Sequence, residues 1–261
     1  MPYVDANGCS IHYAMAGSTG DVPTVVFLGD LGFGAWQWGW QYDAVAGPYR
    51  AVVVDTRGCG RSDAPSGPYE MSDFVDDLAA VLADCNVRTA HLVGCGLGGC
   101  VALAAARATN RARSLTLIGT PAPGTAFDPT ALTADPASET DLRRSTTALL
   151  SDEFAARDDA PIQQIVDWRR EEDAKPAIQS AQTDAIDAFD PAPLYEISVP
   201  SLVVAGGKDP VVPVTSAEQL ANDLPRGEFR AFPDAGHLVT VERSAALNDA
   251  LVGFFESMSD R

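Results

Sequence analysis

The sequence is short of basic side chains. Of its 18 lysines and arginines only Lys175 and Lys208 are lysines, and 36 aspartates and glutamates leave a net charge of −18. The acids are spread along the chain and do not gather in a tail. Such a surface repels nucleic acid and anionic membranes, so neither is expected as a partner. It suits concentrated salt, where self-repulsion is screened, and a halophilic habitat is the reading taken. Histidine is scarcer still. His12, His91 and His237 are the whole supply, which confines acid–base chemistry near neutral pH to a few places. The cysteines Cys9, Cys59, Cys85, Cys95 and Cys100 lack metal-ligand spacing and are odd in number, so neither a metal site nor a disulfide framework is expected; no cofactor is expected either. The first residues lack the basic and apolar regions of a leader. No run approaches the ~20 apolar residues of a membrane span. A cytoplasmic protein with reduced thiols is the expectation.

What is present is a core. The chain has 261 residues, 46% of them hydrophobic, enough for one α/β domain with an inserted segment. Tyr3 to Ala6 and Ser10 to Ala16 flank Asn7-Gly8, a hairpin signal. Largely apolar runs at 24–28, 50–54, 90–95, 114–119 and 201–205 read as strands buried on both faces, and 228–232 reads as a further strand. Helical spacing between them, as over Ser72 to Ala83 with Ser72 as the N-cap, implies a parallel sheet with right-handed crossovers. The fold class is therefore α/β: a mostly parallel central sheet of about eight strands, helices on both faces, and a helical insertion. The insertion runs over 121–199, between core segments 1–120 and 200–261. It holds helical segments near 138–157, 161–173 and 175–188 and no buried strand, and its place suggests a lid over the carboxyl ends of the strands. Trp36, Trp38, Trp40 and Tyr42 crowd one short stretch, either as a pocket wall or as packing for the first helix.

One stretch organises the rest. Ala90-His91-Leu92-Val93-Gly94-Cys95-Gly96-Leu97-Gly98-Gly99 is a strand running through a glycine turn into a small-residue helix. That is the G-x-S-x-G pattern of a nucleophile elbow with glycine, Gly96, in place of the serine. Upstream lie Gly29-Asp30-Leu31-Gly32 after the first buried strand and Asp55-Thr56-Arg57-Gly58-Cys59-Gly60-Arg61-Ser62-Asp63 after the second. Downstream lie Gly206-Gly207-Lys208-Asp209-Pro210-Val211-Val212-Pro213 and Gly236-His237. This ordered set resembles the α/β-hydrolases of the lidded esterase, enol-lactonase and C–C hydrolase type, over nearly the whole chain. The resemblance implies that Asp209 is the triad acid and His237 the general base. It also implies an oxyanion hole built from the backbone N–H groups of Leu31 and Leu97. Asp30 departs from the family's His-Gly at this loop. Pointing inward it would oppose a developing oxyanion; pointing outward it would cap the loop.

Gly96 removes the Oγ, so acyl-serine chemistry is unavailable, and it relieves the strain that a side chain suffers at an elbow. Cys95 is one residue before the apex, which sends its side chain to the other face of the strand, though it remains a possible lining residue with Asp30 and Trp36. Cys100 lies a helical turn beyond. The expected function is action on a small carbonyl-bearing molecule by a His237–Asp209 dyad without serine, with a water in the space vacated at Gly96. Two alternatives stand beside it. One is a non-catalytic small-molecule-binding pseudoenzyme, as the superfamily's receptors suggest. The other is a natural or engineered variant of a serine ester or lactone hydrolase.

Overall fold

The computed structural model describes residues 2–18, 22–122, 127–157 and 159–258. Its first two strands, β1 (Tyr3–Ala6) and β2 (Cys9–Ala16), pair antiparallel. Asn7 and Gly8 between them both have positive φ, 55° and 85°, as a two-residue type I′ turn requires. The buried runs become β3 (Thr24–Leu28), β4 (Arg50–Val54), β5 (Ala90–Cys95), β6 (Ala112–Ile118) and β7 (Ser201–Gly206), and the half-exposed edge strand β8 (Gly227–Phe232) joins them, all mutually parallel. With β2 joined antiparallel to β4, the eight strands order as β1-β2-β4-β3-β5-β6-β7-β8. The chain reverses its direction of travel across the sheet after β4, placing β3 between β4 and β5, and at such a switch point the loops leaving the carboxyl ends diverge to form a crevice.

Period-two alternation sorts the strand side chains to two cores. Val26, Leu28, Val52 and Val54 face the side covered by α2 (Met71–Asp84) and α3 (Leu97–Ala108), with Phe74, Leu78 and Leu103 packed there. Val25, Phe27, Ala51 and Val53 face the other side, against Leu247, Leu251 and Phe255 of α10 (Ser244–Glu256). Helices on both faces are why these strands carry no polar alternation. The N-terminus of α2 differs from expectation. Glu70, not Ser72, is the N-cap, in a capping box where Glu70 N–H donates to Asp73 Oδ2 at 2.8 Å. The helix starts before Ser72, which lies within its first turn and donates to Glu70 Oε2.

Between β6 and β7 the chain forms α4 (Glu139–Ala148), α5 (Asp152–Arg157), α6 (Asp159–Glu172) and α7 (Pro176–Asp187). Arg169 ties them down. Fully buried, it pairs with Asp173 at 2.6 Å, donates to Ser145 Oγ, Thr146 Oγ1 and Leu132 O, and lies 4.6 Å over the Phe33 ring. After β7 come α8 (Val214–Asp223) and, beyond β8, the single turn α9 (Val239–Glu242). Among the described residues no helix is long and apolar enough to cross a membrane.

Candidate active site

Because β3, β5, β6 and β7 are parallel, the loops after Leu28, Cys95, Ile118 and Gly206 leave the same edge of the sheet and converge. Gly96 sits at the head of α3 with φ 46° and ψ −109°, and its N–H donates to Ile118 O at 3.0 Å. The flanking glycines are there for contact. A Cβ on Gly94 would stand 2.2 Å from Gly98 C, and one on Gly98 would stand 2.1 Å from Leu28 O. Only bare backbone lets strand and helix approach so closely.

Across from this turn, Asp209 accepts from Val211 N and Val212 N through Oδ1, at 2.8 and 3.0 Å. Its Oδ2 holds His237 Nδ1 at 2.8 Å. The other ring nitrogen, Nε2, meets Asp30 Oδ2 at 2.7 Å. Asp30 is fully buried and points inward. Its Oδ1 accepts from Leu31 N at 2.6 Å and from Leu97 N at 3.1 Å, and Cys95 Sγ approaches Oδ2 at 3.7 Å. The two N–H groups converge as an oxyanion hole would, and a carboxylate of the chain itself fills it. The space above Gly96 is therefore not open to water, contrary to expectation. A Cβ there would lie 1.8 Å from Asp30 Oδ1.

Asp30, Leu31, Cys95, Gly96, Leu97, Asp209 and His237 thus meet at one point. Trp36 is placed at a joint beside it. Its N–H donates to Glu172 Oε2 and its Nε1 to Asp173 Oδ1, each at 2.8 Å, tying the β3 loop to the end of α6. Cys95 does face the α10 side of the sheet, and that is where the Asp30 carboxylate reaches it. Cys95 and Cys100 remain thiols near neutral pH. Burial, reinforced by the Asp30 charge, pushes each up to about 12, which removes the thiolate that a nucleophile needs.

Burial by itself would strip His237 of its proton. The charge and hydrogen bond of Asp209, with the further bonds to Asp30 and Cys95, outweigh burial and raise its pKa well above 6.5. Both ring nitrogens then donate, Nδ1 to Asp209 and Nε2 to Asp30. Asp30, Cys95 and His237 also offer three potential metal ligands within 4.8 Å of one another. The 2.7 Å between Asp30 Oδ2 and His237 Nε2 is a hydrogen-bond separation. Two ligands each ~2.0 Å from a tetrahedral ion stand farther apart than that, so this arrangement fits a proton better than an ion.

Three supporting residues carried no motif. Gly119, φ 51°, follows β6 beneath the His237 ring, where a Cβ would stand 2.7 Å from Cε1. Glu242 accepts from Gly236 N at 2.7 Å, from Ser151 N at 3.0 Å and from Ser151 Oγ at 2.5 Å, so it fixes the histidine loop to the start of α5. Gln37 accepts the Asp30 N–H at 2.9 Å. Gly119 alone had a readable signal, a glycine closing a buried strand. The site is closed, with Asp30 and His237 both buried. A hollow of about 460 Å³ lies elsewhere, lined by Thr24, Arg50, Thr89 and Arg113 at the amino ends of the strands.

A parallel sheet with an elbow, an acid–histidine pair after β7 and β8, and converging backbone donors defines a hydrolase fold. The profile of the alpha/beta hydrolase family matches residues 25–250, and the chain belongs to that family. It is 29% identical over 254 residues to 3-oxoadipate enol-lactonase 1 of Acinetobacter baylyi, covering 91% of this chain and 90% of that one. The enol-lactonase structure from Burkholderia xenovorans superposes with a TM-score of 0.86 at 26% identity, covering 98% of this chain and all of the other. A hydrolase structure from Pseudomonas aeruginosa gives 0.86 at 25% identity, covering 97% of each chain.

Proposed function

We propose that this protein hydrolyses a small carbonyl-bearing molecule through His237 and Asp209, without a serine nucleophile. The observation that carries this reading is the buried Asp209–His237 bond at 2.8 Å, aimed at the point where Leu31 N and Leu97 N converge. A histidine held by a carboxylate is fixed in orientation and stabilised when it takes a proton. Two backbone donors at a dry site stabilise charge developing on a carbonyl oxygen. The enol-lactonase relatives favour an activated ester or lactone as substrate.

Asp30 gates the carbonyl reaction. While it fills the hole, His237 carries a proton and cannot act as a base. Withdrawal of Asp30 frees Leu31 N and Leu97 N for the substrate carbonyl. The same movement removes one of the two carboxylates that hold the imidazolium, returning His237 to the basic form that activates water. Helices α4 to α7 act as the lid of this site, since Leu149 O receives the Leu238 N–H at 3.2 Å directly beside the histidine. The test is hydrolysis of p-nitrophenyl acetate and of an enol lactone by the native protein and by His237→Ala. Loss of turnover in the variant is expected. Turnover that survives it would reject the dyad.

A further inference from the structure

Two adjoining hollows open at the amino ends of the strands, on the edge of the sheet away from His237. The polar lining of the one of about 460 Å³ is Thr24, Arg50, Asn86, Arg88, Thr89 and Arg113. Its neighbour, about 270 Å³, shares Asn86, Val87 and Arg88 with it and adds Arg111. Strand β3 is five residues long, so ~17 Å of sheet separate this place from the loop that carries Asp30. Among the described residues no aspartate or glutamate lines either hollow. In a chain with 36 acids against 18 bases, four arginines without a carboxylate in the same lining reverse the local sign of charge.

Support of the fold accounts for two of these arginines and not for the others. Helix α2 ends at Asn86, whose φ is 54°. There Asn86 N donates to Ala83 O at 3.0 Å and Val87 N to Leu82 O at 2.8 Å, a Schellman cap. Arg50 donates to Cys85 O at 3.4 Å and Arg111 to Val87 O at 3.1 Å, which secures the chain beyond the helix. Arg88 and Arg113 are exposed. Among the described residues neither side chain has a hydrogen bond or an ion pair. The Arg113 charge carries into the core, where it adds to burial in pulling His91 down to about 4.

We propose that these hollows bind a diphosphate group, free or carried on a small organic molecule, with Arg88 shared between its two phosphoryl ends. A guanidinium offers donors only, in a planar fork that matches phosphate oxygens. The hydroxyls of Thr24 and Thr89 and the amide of Asn86 add neutral donors. A single carboxylate or orthophosphate would engage one hollow. Two linked anionic groups engage Arg113 on one side and Arg111 on the other, with Arg88 lining both. The net charge of −18 repels anions from the rest of the surface, which confines binding to this place. None of these residues belongs to the site of His237 and Asp209, so the proposal is independent of the hydrolytic reading.

The experiment is calorimetric titration of the native protein with inorganic diphosphate, adenosine diphosphate and orthophosphate, without divalent cations. One diphosphate per chain is expected to bind, about tenfold or more tighter than orthophosphate, the worth of one added charge-assisted hydrogen bond. Equal affinity for diphosphate and the nucleotide would identify the inorganic ion as sufficient. A nucleotide that binds tighter and competes with diphosphate would identify a carried group. Arg88→Gln and Arg113→Gln should each weaken diphosphate binding by about tenfold. Their melting temperatures without ligand should match the native protein, since neither side chain holds a contact. Arg144→Gln, at an exposed position of α4, should bind as the native protein does. Orthophosphate bound as tightly as diphosphate, diphosphate affinity weaker than ~1 mM, or undiminished binding in both Arg88→Gln and Arg113→Gln would overturn the proposal.

Discussion

Asp30 and Gly96 share one volume. A Cβ on Gly96 would stand 1.8 Å from Asp30 Oδ1 and 2.4 Å from its Cγ, far inside any non-bonded contact. The inward carboxylate and a side chain at the elbow exclude each other. The two departures from the family pattern, one in each loop, are therefore a single structural change.

Restoring serine by Gly96→Ser alone is thus expected to fail. The substitution places a side chain at φ 46°, a strain of about 1–3 kcal/mol, and also drives the Asp30 carboxylate out of its buried hydrogen bonds. Asp30→Gly together with Gly96→Ser removes the clash and provides the Oγ beside His237. Thermal melting should show the double variant more stable than Gly96→Ser, with a coupling at or above the ~0.5–3 kcal/mol usual for touching residues. Only the double variant should gain hydrolysis of p-nitrophenyl acetate relative to Gly96→Ser. Additive stability changes would contradict the shared volume.

The proton on His237 should respond to Asp30. Its pKa is raised, so the stability it contributes is fully present below the ordinary value of 6.5 and is lost as pH rises through the folded-state value. In Asp30→Asn the neutral amide can still accept from Leu31 N and Leu97 N, but the charge facing Nε2 is gone. The ring-proton resonances of His237 should therefore titrate at lower pH in Asp30→Asn than in the native protein. Unchanged titration would assign the whole effect to Asp209.

Much of this site was legible in the sequence because its parts are backbone-driven. Gly94 and Gly98 mark a contact that tolerates no Cβ. The two donors that converge on Asp30 are backbone N–H groups whose positions follow from the strand ends, and Asp209 and His237 sit in loops of recognisable pattern. The direction of Asp30 was not legible. A residue in a glycine loop can face either way, and the choice depends on donors from β5, α3 and the histidine loop, which lie 65 to 207 residues away in the chain. Glu242 and Gln37 were invisible for the same reason, since each is defined by a loop it supports. Cys95 packs on the α10 side of the sheet, and that face comes to matter only when Asp30 turns inward.

The helices between β6 and β7 should depend on Arg169. Its guanidinium and Asp173 are both buried, with side-chain exposures of 0% and 1%. Arg169→Met fills similar space but leaves Asp173 unpaired except for the bonds from Trp36 and Gly34. Breaking a buried pair from one side typically costs about 3–5 kcal/mol. Denaturant unfolding should show a loss of that order, and Arg169→Met with Asp173→Leu should recover much of it. A loss below ~1 kcal/mol, the range of exposed pairs, would mean that water reaches the pair.

Acid sensitivity should trace in part to His91, remote from the site. It is buried in β5, with Nδ1 2.7 Å from Ser114 Oγ and its ring 4.6 Å from that of Phe255. Burial, aided by the Arg113 charge, pulls its pKa from 6.5 down to about 4. The folded protein therefore keeps His91 neutral over a range where the unfolded chain takes up a proton. Stability is unaffected by this group above pH 6.5, falls as pH drops from 6.5 toward 4, and levels off below. The full difference is of order 3 kcal/mol by linkage. His91→Asn keeps a polar partner for Ser114 but does not titrate. Plotted against pH, the melting temperature of His91→Asn should fall less steeply than that of the native protein across this window. Parallel curves would place the acid sensitivity in other groups.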